Sequence, residues 1–184
     1  MTIIDKVIAA VTPPESEEER RQARQKALAM ATPGSWLAMV LEHHREIEAC
    51  FANVKQAGTP DGRRLAQKKL AQMLSGHSLA EEATIYPAMA FNGEKAKSEM
   101  AYVEQSAAKV QLAGLEMLDP MSQDYDDKLE HLRGAVLHHV YEEESSRFPE
   151  LLEKADIATN AHIAARYEEE FNRYMASGSI RAAV

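Results

Sequence analysis

Cysteine is nearly missing from this chain: Cys50 stands alone among 184 residues. One thiol cannot close an intrachain disulfide, and it leaves a cysteine-based zinc or iron-sulfur site without ligands. A bound metal would have to be held by histidine and carboxylate. Aromatic residues and glycine are also scarce, with four Phe, one Trp and eight Gly. Against abundant Ala, Leu, Met, Glu, Lys and Gln, that scarcity disfavours sheet and predicts an all-α fold. Positive charge is in deficit, the formal net charge being -8. Without a basic footprint to displace counterions from phosphates, no nucleic-acid partner is expected. No window approaches the roughly 18 consecutive apolar residues of a membrane span. The apolar stretch at 3–11 is interrupted by Asp5 and Lys6 and is followed by no small-residue cleavage site. Neither a signal peptide nor a membrane partner is expected, and a cytoplasmic protein is the simplest consequence.

What is present is helical periodicity in segments with short punctuation. Ile3, Ile4, Val7, Ile8 and Val11 form one apolar stripe that Pro13 and Pro14 stop, and a charged helix follows over about 15–31, closed by Pro33 and Gly34. Residues 1–34 thus read as a helical extension that packs on the outside of a core or on a second copy, which would make a homodimer. Four longer patterns follow over 35–57, 61–91, 94–118 and 122–154, separated by Gly58-Thr59-Pro60, Asn92-Gly93 and Asp119-Pro120-Met121. Short links between helices of similar length predict an up-down-up-down four-helix bundle over 35–155. A fifth helix over 158–176 and a Gly/Ser tail complete a C-terminal segment at 156–184.

The chemistry is concentrated in two segments. The second long helix contains His77, Glu81, Glu82, Tyr86 and Pro87, and the fourth contains His139, Glu143, Glu144, Phe148 and Pro149, at identical offsets. Residues four apart share a helix face, with Cβ atoms about 6 Å apart, so each His-x-x-x-Glu can grip a common ion. Imidazole nitrogen with carboxylate oxygen suits iron or manganese and tolerates zinc. Facing helices that project His and Glu inward build two-metal carboxylate sites. The first long helix offers His44, on the same face as Leu37, Val40, Ile47 and Phe51, with His43 rotated away.

On these residues the chain resembles the hemerythrin HHE cation-binding domain family over about 36–152. The resemblance implies a non-haem di-iron centre held by His44, His77, Glu81, His139 and Glu143 and bridged by the two carboxylates. It also implies a histidine on the third helix, where this chain has Glu104 and Gln105. The internal repeat supports that alignment: His44 to His77 spans 33 residues and Gln105 to His139 spans 34. Glutamine is a weak neutral donor. Three outcomes follow: an asymmetric di-iron site with a water or substrate position opened, a site completed by Glu104 or Tyr102, or a mononuclear site. The first is the expectation, with two irons per chain, and one iron, manganese or zinc as alternatives.

Other residues have plainer readings. His43, His131, His138 and His162 lack partners at matching offsets and read as surface residues or supports behind the ligands, His138 being best placed for support. Glu82, Glu142 and Glu144 read as a solvated acidic face. Tyr86 and Phe148 follow their histidines by nine residues, about 180° round a regular helix, and read as packing residues facing away from the metal. Tyr102 lies one turn before Gln105, within reach of the gap. The resemblance implies oxygen binding, nitric oxide or peroxide handling, or iron sensing, so the expected partner is a small diatomic or peroxide ligand. The alternatives are an iron store or sensor and a metal-stabilised interaction module without catalysis.

Overall fold

The computed structural model describes the backbone of residues 15–181 and the side chains of 15–177; the apolar stripe at 3–11 lies outside the described residues. The described residues are helical and contain no strand. The helices are α1 (Glu17–Met30), α2 (Trp36–Gln56), α3 (Pro60–Ala83), α4 (Ile85–Phe91), α5 (Lys95–Glu116), α6 (Gln123–Glu142), a π-helical turn (Glu143–Arg147), α7 (Phe148–Lys154) and α8 (Ile157–Arg181). No helix among the described residues is long and apolar enough to cross a membrane.

Local sequence sets the helix starts. Ser16 and Glu19 form a reciprocal capping box at α1, and the side chains of Ser35, Thr59 and Ser122 accept backbone N–H bonds at α2, α3 and α6. Each satisfies a donor that a helix start leaves unpaired. Pro60 sits at the start of α3, where its missing N–H costs nothing. Gly93, at φ 92°, turns the chain between α4 and α5 in a conformation that a side chain would strain.

Helices α2, α3, α5 and α6 form the bundle, while α1 packs against the π turn and α8 lies along α3 and α2. Trp36 Nε1 donates to Asn160 Oδ1 at 2.7 Å, pinning the start of α8 to that of α2. The core has two apolar clusters. One contains Trp36, Val40, Tyr86, Met89, Phe148 and Tyr167; the other contains Ile47, Phe51, Leu70, Leu115, Tyr125 and Leu132. Between them on the same helices lie the buried polar residues His44, His77, Glu81, Gln105, His139 and Glu143. A polar layer in the middle of an apolar core is costly unless its members satisfy one another or bind something.

Two expected helices are divided, both ahead of a proline. The pattern over 61–91 breaks at Thr84, which adopts φ −133°, ψ −59°. Pro87 has no N–H to give the Ala83 carbonyl, so the helix cannot run through unchanged. The pattern over 122–154 instead widens: the N–H of Phe148 reaches back five residues to the Glu143 carbonyl, ahead of Pro149. These two departures reposition the residues that follow them.

Candidate metal centre

The structure brings His44, His77, Glu81 and Glu143 together, with one potential ligand atom from each within 4.8 Å of the others. His44 Nε2 lies 3.3 Å from Glu143 Oε2 and 3.9 Å from Glu81 Oε1. His77 Nε2 lies 3.2 Å from Glu81 Oε2. His139 joins from α6, its Nε2 3.2 Å from Glu143 Oε1. The i,i+4 spacing thus places each histidine against its own glutamate, and the facing helices place the two glutamates in one chamber.

Each histidine is held from behind through its other nitrogen. His44 Nδ1 lies 2.9 Å from Glu144 Oε1, His77 Nδ1 lies 3.0 Å from the Tyr167 hydroxyl, and His139 Nδ1 lies 2.7 Å from Glu104 Oε2. Partners of this kind fix the ring and its tautomer and leave Nε2 free to bind a metal. Arg24 donates to Glu144 at 3.0 and 3.1 Å, and Arg147 donates to Glu104 at 2.7 and 3.0 Å. The Tyr167 hydroxyl also lies 2.8 Å from His43 Nδ1.

Several residues stand elsewhere than the sequence suggested. Glu144 is buried against His44 instead of lying on a solvated face, because the π turn carries both Glu143 and Glu144 inward. His43 is the histidine that supports the layer, through Tyr167, whereas His138 pairs with Glu15 at 2.8 Å on the outside. Tyr102 spends its hydroxyl on the Glu82 carbonyl at 2.7 Å, and Glu104 lies behind His139; neither faces the centre. Gln105 does face it, and its Nε2 donates to Glu81 Oε2 at 2.6 Å.

The largest difference is Tyr86, read from the sequence as facing away. Its hydroxyl stands 2.8 Å from Glu143 Oε1, 3.1 Å from His139 Nε2 and 3.2 Å from Glu81 Oε2. The break at Thr84 resets the helical phase, so the rotation counted from His77 no longer applies. Phe148, its counterpart in the repeat, stays apolar and packs edge-on against Trp36 with ring centroids 5.5 Å apart. Pro87 was the available signal for the reset.

The electrostatics fit a cation-binding centre. Burial raises the pKa of Glu81, and the neighbouring Glu143 charge raises it further. Burial also opposes the Glu143 charge, but the imidazoles of His139 and His44 outweigh it and hold that carboxyl well below its usual range. Burial works against charge on His44 and His139 as well, yet the carboxylates around them push the two pKa values up to about 9 and about 10. Without a metal charge, protons therefore do the neutralising. Burial and the charge on His44 keep His77 well below its ordinary value, hence neutral and able to ligate. His44 Nε2, Glu81 Oε1 and Glu143 Oε2 are buried with no hydrogen-bond partner. Three unpaired ligand atoms in the same chamber are what a metal would satisfy.

Comparison with known proteins agrees with this geometry. The description Hemerythrin HHE cation binding domain matches residues 37–151. The chain belongs to that family. The chain is 24% identical over 132 residues to an uncharacterized hemerythrin-like protein of Schizosaccharomyces pombe, covering 70% of this chain and 65% of that one. It is also 29% identical over 106 residues to a DNA nickase of Nostoc sp., covering 57% of this chain and 30% of the nickase. The chain therefore spans less than two thirds of either relative. No solved structure matches.

Proposed function

We propose that this hemerythrin domain is a cytoplasmic non-haem iron protein that holds two irons and binds or reacts with a small ligand such as O2, NO or peroxide. The supporting donors surround both carboxylates: His44 lies against Glu143 Oε2 and His139 against Glu143 Oε1, while His77 and Gln105 both lie against Glu81 Oε2. An iron pair so held would supply redox-active Lewis acidity to a bound ligand.

The observation that carries the small-ligand reading is a cavity of about 20 Å³ beside the centre, bordered by His77, Gln105 and His139 and otherwise largely apolar, with Ile47, Leu74 and Val136 in its wall. That volume holds about one water-sized molecule. A diatomic or peroxide fits. The carboxylates and imidazoles would stabilise the bound metal, while the apolar wall keeps bulk water away from it. The acidic net charge of -8 supports no nucleic-acid role.

Anaerobic loading of the full chain with ferrous iron, followed by elemental analysis and titration with azide and NO, tests this reading. About two irons per chain and saturable optical adducts are expected. Protein that takes up no iron, or that takes up iron and forms an adduct with neither ligand, would overturn it.

A further inference from the structure

We propose that Tyr86 is a ligand of the metal centre, entering from the start of α4 to supply the donor that α5 lacks at Gln105. This rests on the iron reading above and concerns a residue outside the two His-x-x-x-Glu motifs.

The first argument is convergence. Three polar atoms from two helices, Glu143 Oε1, His139 Nε2 and Glu81 Oε2, lie 2.8, 3.1 and 3.2 Å from the Tyr86 hydroxyl. A hydroxyl has one proton and cannot donate to both carboxylates at once. Yet both carboxylates close on it. His139 Nε2 and Glu143 Oε1 are themselves 3.2 Å apart. Ligands at right angles around an ion with bonds of about 2.1 Å are about 3 Å apart, so all four separations match the edges of one coordination sphere.

The second argument comes from the internal repeat. The repeat makes His44 equivalent to Gln105 and Phe148 equivalent to Tyr86. His44 has the Phe148 ring stacked over it at a centroid distance of 6.3 Å, whereas Gln105 and Tyr86 both reach Glu81 Oε2, at 2.6 and 3.2 Å. A donor and an inert ring are matched by an amide and a donor ring, so the ligand that Gln105 does not supply can come from the segment that carries the other His-x-x-x-Glu motif. The break at Thr84 lets it arrive, and the contact of the Tyr86 ring with Tyr102, edge to face at 5.1 Å, holds its orientation.

Coordination requires the phenolic O–H bond to break as the O–metal bond forms. The proton leaves to solvent, and no electron moves. A bound trivalent iron makes this exchange favourable even for a buried phenol, because the metal charge replaces the proton charge among the two carboxylates.

The test is the visible absorption and resonance Raman spectrum of the full chain loaded with ferrous iron and then oxidised in air. The expected result is a phenolate-to-iron charge-transfer band whose Raman excitation shows tyrosine ring modes. Tyr86→Phe should abolish both and lower the iron content from about two to about one per chain, and Tyr86→Phe with Gln105→His should restore the second iron without the band. Iron-loaded wild type lacking the band overturns the assignment while leaving the iron reading intact, as does a band that survives in Tyr86→Phe. Failure of the wild type to bind iron overturns both. Should Tyr86→Phe fail to fold, ring-deuterated tyrosine in the wild type must shift the Raman modes, and Tyr102→Phe and Tyr167→Phe, the other tyrosines near the centre, must keep the band; unshifted modes, or loss of the band in either variant, overturn the proposal.

Discussion

Replacing Glu144 with leucine separates the structure from the plain reading of its sequence. On a solvated acidic face the change would cost within about 0.5 kcal/mol. In the structure Glu144 is 2% exposed and accepts from His44 Nδ1 at 2.9 Å and from Arg24 at 3.0 and 3.1 Å. The leucine leaves His44 with a buried, unpaired nitrogen and strips Arg24 of one of two carboxylate partners, the other being Glu48 at 2.7 Å. Removing one member of a buried charge pair costs about 3–5 kcal/mol. Arg24 keeps Glu48 and its side chain is 24% exposed, so the lower end, about 3 kcal/mol, applies. For a chain of this size that lowers Tm by about 6–12 °C. Urea denaturation and thermal melting of chelator-treated protein would measure it, with Glu142→Leu, a half-exposed position whose carboxylate comes no nearer than 4.0 Å to Arg147, as the control at about 0.5 kcal/mol or less. Glu144→Gln should fall between, since it keeps an acceptor for His44 but loses the charge facing Arg24. A Glu144→Leu protein as stable as its control would refute both the burial and the pairing.

Four further substitutions probe the site and its frame. Tyr167→Phe removes the hydroxyl behind His77 and His43; iron affinity, read by chelator competition, should fall about 10- to 100-fold while the fold persists. Glu104→Gln should flatten the acid dependence of metal-free stability. Burial opposes the Glu104 charge, but His139 and Arg147 prevail and hold its pKa down to about 2, so its contribution is present above the unfolded value of 4.5 and is lost as pH falls toward 2. Equal slopes for variant and wild type across that window would count against it. Among glycines, Gly76→Leu should destabilise by about 2 kcal/mol, because a Cβ at 76 already stands 3.1 Å from Tyr174 and 3.3 Å from Met175 on α8. Gly134→Ala, with nothing within 4 Å, should stabilise by up to about 1 kcal/mol. Denaturation midpoints report both, and matching signs would show that α8 does not pack there.

The bundle and the inward faces of its helices were legible because they depend on local spacing. His77 with Glu81 and His139 with Glu143 need only a regular turn of helix to meet, and comparing the two repeats located Gln105 without any contact information. The residues that went unread depend on departures from that regularity. Counting about 100° per residue from His77 turned Tyr86 outward, whereas the phase is lost at Thr84, ahead of Pro87. Glu144 was grouped with Glu82 and Glu142 as an acidic face, whereas the wider π turn advances less per residue and keeps two consecutive glutamates on the inner side. Tyr167 carries no motif and lies 90 residues from the histidine it supports. Only the packing of α8 brings it there.

That packing also separates how tightly an ion is held from how quickly it can leave. Tyr167 and Phe171, the latter stacked on His43 at 3.9 Å, lie on a helix joined to the bundle through one short connection, and His77 lies beneath them. A hydrated ion is larger than the 20 Å³ cavity beside the centre, so the expected outcome is that loading and release follow the opening free energy of the covering segment. A small uncharged ligand needs no such event. Metal residence time and ligand turnover would then answer to different parts of the chain, and shortening α8 would speed the first while leaving the second to the residues around the cavity.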